Sequence, residues 1–208
     1  MERTLSEQIQ VLRSLIPGHA ELAREFIVAG QKKMYPMDFL AVAAARRSAA
    51  NIQSITLLIE QKLFPPAAAL LRMQLDTFFR FSAAWLVKEP HALASRIMDG
   101  EKLSSIKDAQ GEKMTDRYLV STFADSFPWL PKVYDETSGY VHLSEKHYWN
   151  AMGPTNEEGM IEMHVGAEDM YVTDEYRSEV ILACQEITEG LFDRFSAWAK
   201  TKDLKAHK

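Results

Sequence analysis

Residues 66–87 read PAAALLRMQLDTFFRFSAAWLV. With about 100° of rotation per residue, Leu70, Leu71, Leu75, Phe78, Phe79, Phe81, Trp85 and Leu86 cover well over half of a helix circumference. A helix apolar over so much of its surface belongs in the middle of a bundle. Arg72, Asp76 and Arg80 fall four apart on that helix, inside an arc of roughly 80° shared with Ala69, Ala83 and Val87. A charged row in such company must be compensated. Either Asp76 pairs with its two neighbours at i,i+4 spacing, or the free guanidinium edges hold a phosphate or carboxylate in a pocket.

Outward from this stretch the helical period continues. Pro65-Pro66 stops a long preceding segment from Asp38 to about Phe64, whose face is Ala45, Ser48, Ile52, Ile55, Ile59 and Leu63. Its alanine-rich part, Ala41 to Ala50, allows a neighbouring helix to approach closely. Asn51 lies near that inner face, with Arg47 on its flank. Upstream, Leu5, Ile9, Leu12 and Ile16 form a first helix closed by Pro17-Gly18, and Leu22, Phe26 and Ile27 a second. Downstream, the helix of residues 66–87 runs to about Lys88. A broken helical stretch spans His91 to Gln110, and Thr115 caps a short helix through Val120. Val133 to Trp149 reads as one helix despite Gly139.

The segment from Gly153 to Val172 has a different period. Ile161, Met163 and Val165 alternate with Glu162 and His164, and Gly166-Ala167-Glu168-Asp169 can turn into Tyr171-Val172, which predicts a small β-hairpin. Val180, Cys184, Ile187, Leu191, Phe195 and Trp198 then mark a long C-terminal helix with a basic, frayed tail. The expected architecture is all-α in one domain: N-terminal helices over 1–36, a core bundle over 37–150, a hairpin insert over 153–172 and a last helix over 173–200.

Composition bounds the function. The chain has 208 residues, 24 Lys and Arg against 29 Asp and Glu, and a net charge of −5, which weighs against strong non-specific binding to DNA. No run of about 18 apolar residues suggests a membrane span, and MERTLSEQIQ lacks a signal-peptide pattern, so the expected location is cytoplasmic. Cys184 is the single cysteine and cannot form an intrachain disulfide or a thiolate cluster. No P-loop, dinucleotide fingerprint, zinc-ligand set or Glu-x-x-His pair occurs, so no cofactor or metal is expected.

A second polar cluster lies in VYDETSGYVHLSEKHYW, residues 133–149. On a continuous helix Ser138, His142 and Glu145 would share a face, with Tyr134 and Val141 beside them. A carboxylate one turn away selects a tautomer of His142 and favours its charged form, as a general acid or base requires. A hydrogen-bonded structural histidine accounts for the same spacing. His142 and His147 stand about 140° apart on a helix, too far round to share a metal.

Three pieces, LLRMQLDTFFRFSAAWLV, KDAQGEKMTDRYL and YDETSGYVHLSEKH, resemble a family of bacterial helical proteins related to the HEPN superfamily of abortive-infection and toxin components. The resemblance spans roughly Phe39 to Trp149 and implies a HEPN-like bundle that forms a homo-oligomer. It further implies a defence or toxin–antitoxin role, with metal-independent RNA cleavage. HEPN ribonucleases carry an Arg separated from the histidine by four to six residues. His142 matches that histidine, but Asp135, Glu136 and Thr137 stand where the Arg would be. Either the nuclease chemistry is absent, or the cation comes from elsewhere in the bundle, with Arg72 and Arg80 as candidates beside His142. The two polar clusters themselves offer Asp76, Ser138, Tyr140, Glu145 and Asn51 as binding residues. The competing expectation is a non-catalytic bundle that binds a small anionic ligand or a protein partner.

Overall fold

The computed structural model describes residues 3–206. It is mostly helical, with one small antiparallel sheet before the last helix. Helices α1 (Leu5–Ser14) and α2 (Ile16–Val28) pack beside α3 (Pro36–Glu60), which in turn packs against α4 (Phe64–Ser82). Shorter helices follow: α5 (Pro90–Met98), α6 (Asp116–Phe123), α7 (Leu130–Ser138) and α8 (Glu145–Asn150). Strands β1 (Met152–Thr155) and β2 (Ile161–Met163) precede α9 (Asp174–Ala206). No helix of the described residues is long and apolar enough to cross a membrane.

The core lies where α3, α4 and α9 meet. Ala41, Ala44, Ala45, Ile52, Ile55 and Ile59 of α3 are buried, and the small residues among them admit α4 at close range. Helix α4 buries Leu71, Leu75, Phe78, Phe79 and Phe81, as expected of a central helix. Ile181, Cys184, Ile187, Leu191 and Phe195 of α9 are fully buried at helical spacing.

One ion pair is sealed beneath this assembly. The Lys202 ammonium of α9 donates to both oxygens of Asp38 at 3.0 and 3.1 Å and to the Phe26 carbonyl at 2.5 Å. The Asp38 carboxylate also accepts from the Tyr35 backbone N–H at 2.7 Å and the Trp198 indole N–H at 2.8 Å. Both charged side chains are at most 1% exposed. Three donor groups, making four hydrogen bonds, thus surround one buried carboxylate and fasten α9 to the start of α3 and the end of α2.

Several boundaries differ from the sequence expectation. Pro17-Gly18 does not close a first helix. Pro17 lies in the first turn of α2, where its missing N–H has no partner to lose. Helix α4 gives way at Ser82 to a 3-10 turn over Ala83–Trp85. The α-helix from Pro90 ends at Met98, beside the expected break at Gly100, whose φ of 89° is foreign to a right-handed helix, and only a 3-10 turn over Leu103–Ser105 follows before Gln110. Asp108 organises this loop by accepting from the Gln110 and Glu112 N–H groups, both at 2.9 Å, and from the Tyr118 hydroxyl at 2.5 Å.

The expected helix over Val133–Trp149 is two helices. It breaks because the Ser144 hydroxyl donates to the Gly139 carbonyl at 2.7 Å and accepts from the Lys146 N–H at 3.3 Å, capping α8 afresh. The hairpin is present, but Met152 pairs with Met163 and Thr155 with Ile161, around a turn held by Asn156 Oδ1. Gly166–Asp169 is not its turn. Instead Asp169 returns to the bundle, donating its N–H to the Lys62 carbonyl at 2.8 Å and accepting from the Phe64 N–H at the start of α4. The basic tail remains helical to Ala206, Lys202 is buried rather than frayed, and His207 and Lys208 lie outside the described residues.

Candidate functional site

The charged stripe of α4 is compensated by other helices of the same chain. Asp76 accepts from Arg80 at 2.9 Å and from Arg47 of α3 at 3.0 Å. Arg72 turns the other way, donating to Asp116 of α6 at 2.5 Å with its guanidinium 4.6 Å from the Tyr134 ring centre of α7. The Arg72 side chain is 13% exposed and that of Arg80 39%. The row is therefore an inter-helix tie at one end and a half-open ion-pair cluster at the other.

Asn51 belongs to a buried polar chain. Its Nδ2 donates to Gln74 Oε1 at 3.1 Å, and Gln74 Nε2 donates to Ser48 Oγ at 2.6 Å and Thr188 Oγ1 at 3.1 Å. His19 completes it. Nδ1 faces the Leu15 and Ile16 carbonyls, both acceptors, and so carries the proton, which leaves Nε2 to accept from the Ser48 hydroxyl at 2.8 Å. Burial holds the His19 pKa below its ordinary value against the pull of those two carbonyls. The network joins α2, α3, α4 and α9 and uses Asn51 as one of its links.

The histidine segment takes a form the helical reading does not provide. Ser138 ends α7 with its hydroxyl donating to the Tyr134 carbonyl at 2.6 Å. His142 lies exposed in the turn between α7 and α8, and Glu145 opens α8, also exposed. The shared face of Ser138, His142 and Glu145 is lost with the helix that defined it. No hydrogen bond, ion pair or ring contact among the described residues joins His142 to Arg72 or Arg80. Tyr140 points inward, its ring 5.5 Å from Phe64 and 5.7 Å from His147.

Tyr140 is also the one sequence-derived site residue that lines the large hollow of the molecule. This cavity of about 780 Å³ opens between α4, α7, α8, β1 and α9. Ala68 and Leu71 of α4 and Val180 of α9 are part of its apolar wall, with Phe64, Trp129, Tyr140, Trp149, Tyr171 and Tyr176 around them. Two of its charged groups pair with each other. Lys146 donates to Glu136 at 2.6 Å and stands 5.6 Å from the Tyr140 ring centre. Although burial opposes it, the Glu136 carboxylate raises the Lys146 pKa and keeps the ammonium charged. Burial pushes the Tyr140 hydroxyl up, against Asn150 and Lys146 beside it. Lys132 approaches Glu179 at 3.7 Å on the rim, whereas Glu186 has no ion-pair partner among the described residues.

No family model matches the chain, and no curated protein or solved structure matches it. The chemistry of the cavity thus rests on its own groups. Cys184 is buried, its thiol pushed up to about 12, and it supplies no thiolate at neutral pH. Among the described residues no group of three or more His, Cys, Asp or Glu could hold a metal ion. What the lining offers is ring faces, apolar wall and a rim of carboxylates, an arrangement suited to holding a guest.

Most of these residues escape a reading by motif, because they are spread over five elements and the segments between them, from Phe64 to Glu186. The signal in the sequence is compositional: Trp149, Tyr171 and Tyr176 fall close together in a stretch that is strongly acidic and rich in methionine.

Proposed function

We propose that this chain is a non-catalytic binding protein whose aromatic cavity takes a guest. The cavity itself carries the reading, since about 780 Å³ lies within the roughly 300–1,000 Å³ of ordinary ligand sites. Its lining includes no nucleophile paired with a base, and Lys146 is already committed to Glu136. A guest with a large apolar surface gains most there, by about 25 cal/mol for each Å² withdrawn from water. The small anionic ligand suggested by the α4 stripe is less favoured, because Arg72 and Arg80 each face a carboxylate.

The resemblance to HEPN proteins supplies a rival proposal: a bacterial defence or toxin–antitoxin component cleaving RNA with His142 beside Arg72 or Arg80. Support for it would be an imidazole in contact with a guanidinium, and His142 makes no such contact. One set of measurements separates the two. The neutral dye Nile red should brighten on titration with the protein and raise its melting temperature. Ala183→Phe, which projects a ring into the cavity, should abolish both effects with the fold intact by circular dichroism. Dye that stays dark, together with RNA cleavage lost in His142→Ala, would reverse the assignment.

A further inference from the structure

The cavity does not end at its mouth. No residue from Ser138 to Tyr171 is buried, yet this segment is rich in large apolar side chains. Leu143 is 92% exposed, Val165 99% and Met163 68%. Trp149, Tyr176 and Leu182 line the cavity and are at the same time 65%, 60% and 45% exposed, so hollow and outer face are one surface. Backbone pairing binds its parts together, through β1 with β2 and through the His164 N–H to the Ala151 carbonyl at 2.9 Å.

From Val141 to Leu182 eleven large apolar side chains are at least 45% exposed. At half exposure each offers on the order of 100 Å², or about 1,000 Å² together. The largest apolar patch of an ordinary monomer is about 300–600 Å², and one side of a standard protein interface is about 800 Å². In sum this exposed apolar area is more than a small molecule covers and comparable with one side of a protein interface.

Charge selects the partner. Between Lys132 and Glu186 there are twelve Asp and Glu against three Lys and Arg, a net of −9 in a chain of −5. All three of those cations are engaged, Lys132 with Glu179, Lys146 with Glu136 and Arg177 with Asp174. Anionic lipid and nucleic acid are repelled by such a field. A second copy seated on the same face would bring two regions of −9 together. The methionines of the face, Met152, Met160, Met163 and Met170, are flexible and polarizable, the side chains suited to moulding around an inserted helix.

We infer that the guest is the apolar face of a basic amphipathic helix presented by a partner protein, with one large side chain seated in the cavity and its Lys or Arg residues over the acidic rim. This rests on the cavity being a binding site. The probe is a dye-labelled peptide of roughly 18 residues built from Leu and Lys at i, i+3, i+4, i+7 spacing, read by fluorescence anisotropy. Two controls are a Leu/Glu peptide of the same pattern and a scrambled Leu/Lys peptide. The patterned Leu/Lys peptide should bind, at least about tenfold more tightly than either control. It should weaken by about tenfold or more between roughly 0.05 and 0.5 M salt. Trp149→Ser and the charge reversal Glu186→Lys should each reduce affinity several-fold without loss of helix content.

Absence of binding, or equal binding of the scrambled peptide, overturns the inference. So does a wild-type dimer in sedimentation that Val165→Ser converts to monomer, because the face would then belong to a second copy. Nile red keeps the two levels apart. Dye binding without peptide binding refutes the helical partner alone, whereas loss of both refutes the cavity as a site.

Discussion

Lys202→Met should be among the most costly single substitutions in this protein. It removes the ammonium that meets both Asp38 oxygens at 3.0 and 3.1 Å and the Phe26 carbonyl at 2.5 Å. Asp38 keeps the Tyr35 and Trp198 N–H donors, but its charge stays in a site with no solvent access. Breaking one side of a buried ion pair costs about 3–5 kcal/mol. In a chain of this length each kcal/mol moves the melting temperature by about 2–4 °C, so a fall of roughly 6–20 °C is expected. Asp38→Asn should cost a comparable amount by stranding the ammonium. The double variant removes both charges and should recover at least about 2 kcal/mol of the summed loss. Urea unfolding at constant pH, with the slope checked for constancy, measures all three. Single variants within about 1 kcal/mol of wild type, or a double variant as unstable as the sum of the singles, would refute the electrostatic account of this clamp.

His19 should make stability fall in mild acid. Burial holds the folded imidazole below its ordinary value, so as pH drops through about 6.5 the unfolded chain takes up its proton first. Stability from this group is complete above that pH and declines below it; the urea midpoint should decrease from pH 7 to pH 5, and His19→Gln should flatten the dependence. The two arginines of the α4 stripe should differ. Arg72→Ala loses a largely buried tie to Asp116 and Tyr134 and should cost about 1–3 kcal/mol. Arg80→Ala, at a half-exposed pair, should cost under about 1 kcal/mol, and a reversed order in thermal melts would contradict the assignment.

Much of the helical framework is legible because apolar residues recur at 3.6-residue spacing in α3, α4 and α9, and burial follows that spacing. Local signals with two meanings fail. Proline ends one helix and begins another, so Pro17 is misread, while Ser144 carries a cap that competes with continuation from Gly139. The α4 stripe is legible as a row, but its partners Asp116 and Arg47 are set by tertiary packing. Asp38 and Lys202 show the limit most clearly. They lie 164 positions apart, and nothing in either neighbourhood distinguishes a buried lysine from one in a basic tail. Of the candidate site residues only Tyr140 reaches the cavity, because a hollow is a property of five elements at once and leaves no periodic trace in any of them.

The contrast between α9 and the segment from Ser138 to Tyr171 divides the molecule by timescale of hydrogen exchange. Amides in the middle of α9 are shut behind side chains of the central core and exchange only when the whole fold opens. Those of α8 and the hairpin have no buried residue over them and can exchange through small local openings. Deuterium labelling in the presence of a guest should therefore slow the second set and leave the first untouched, mapping occupancy of the apolar face without any substitution.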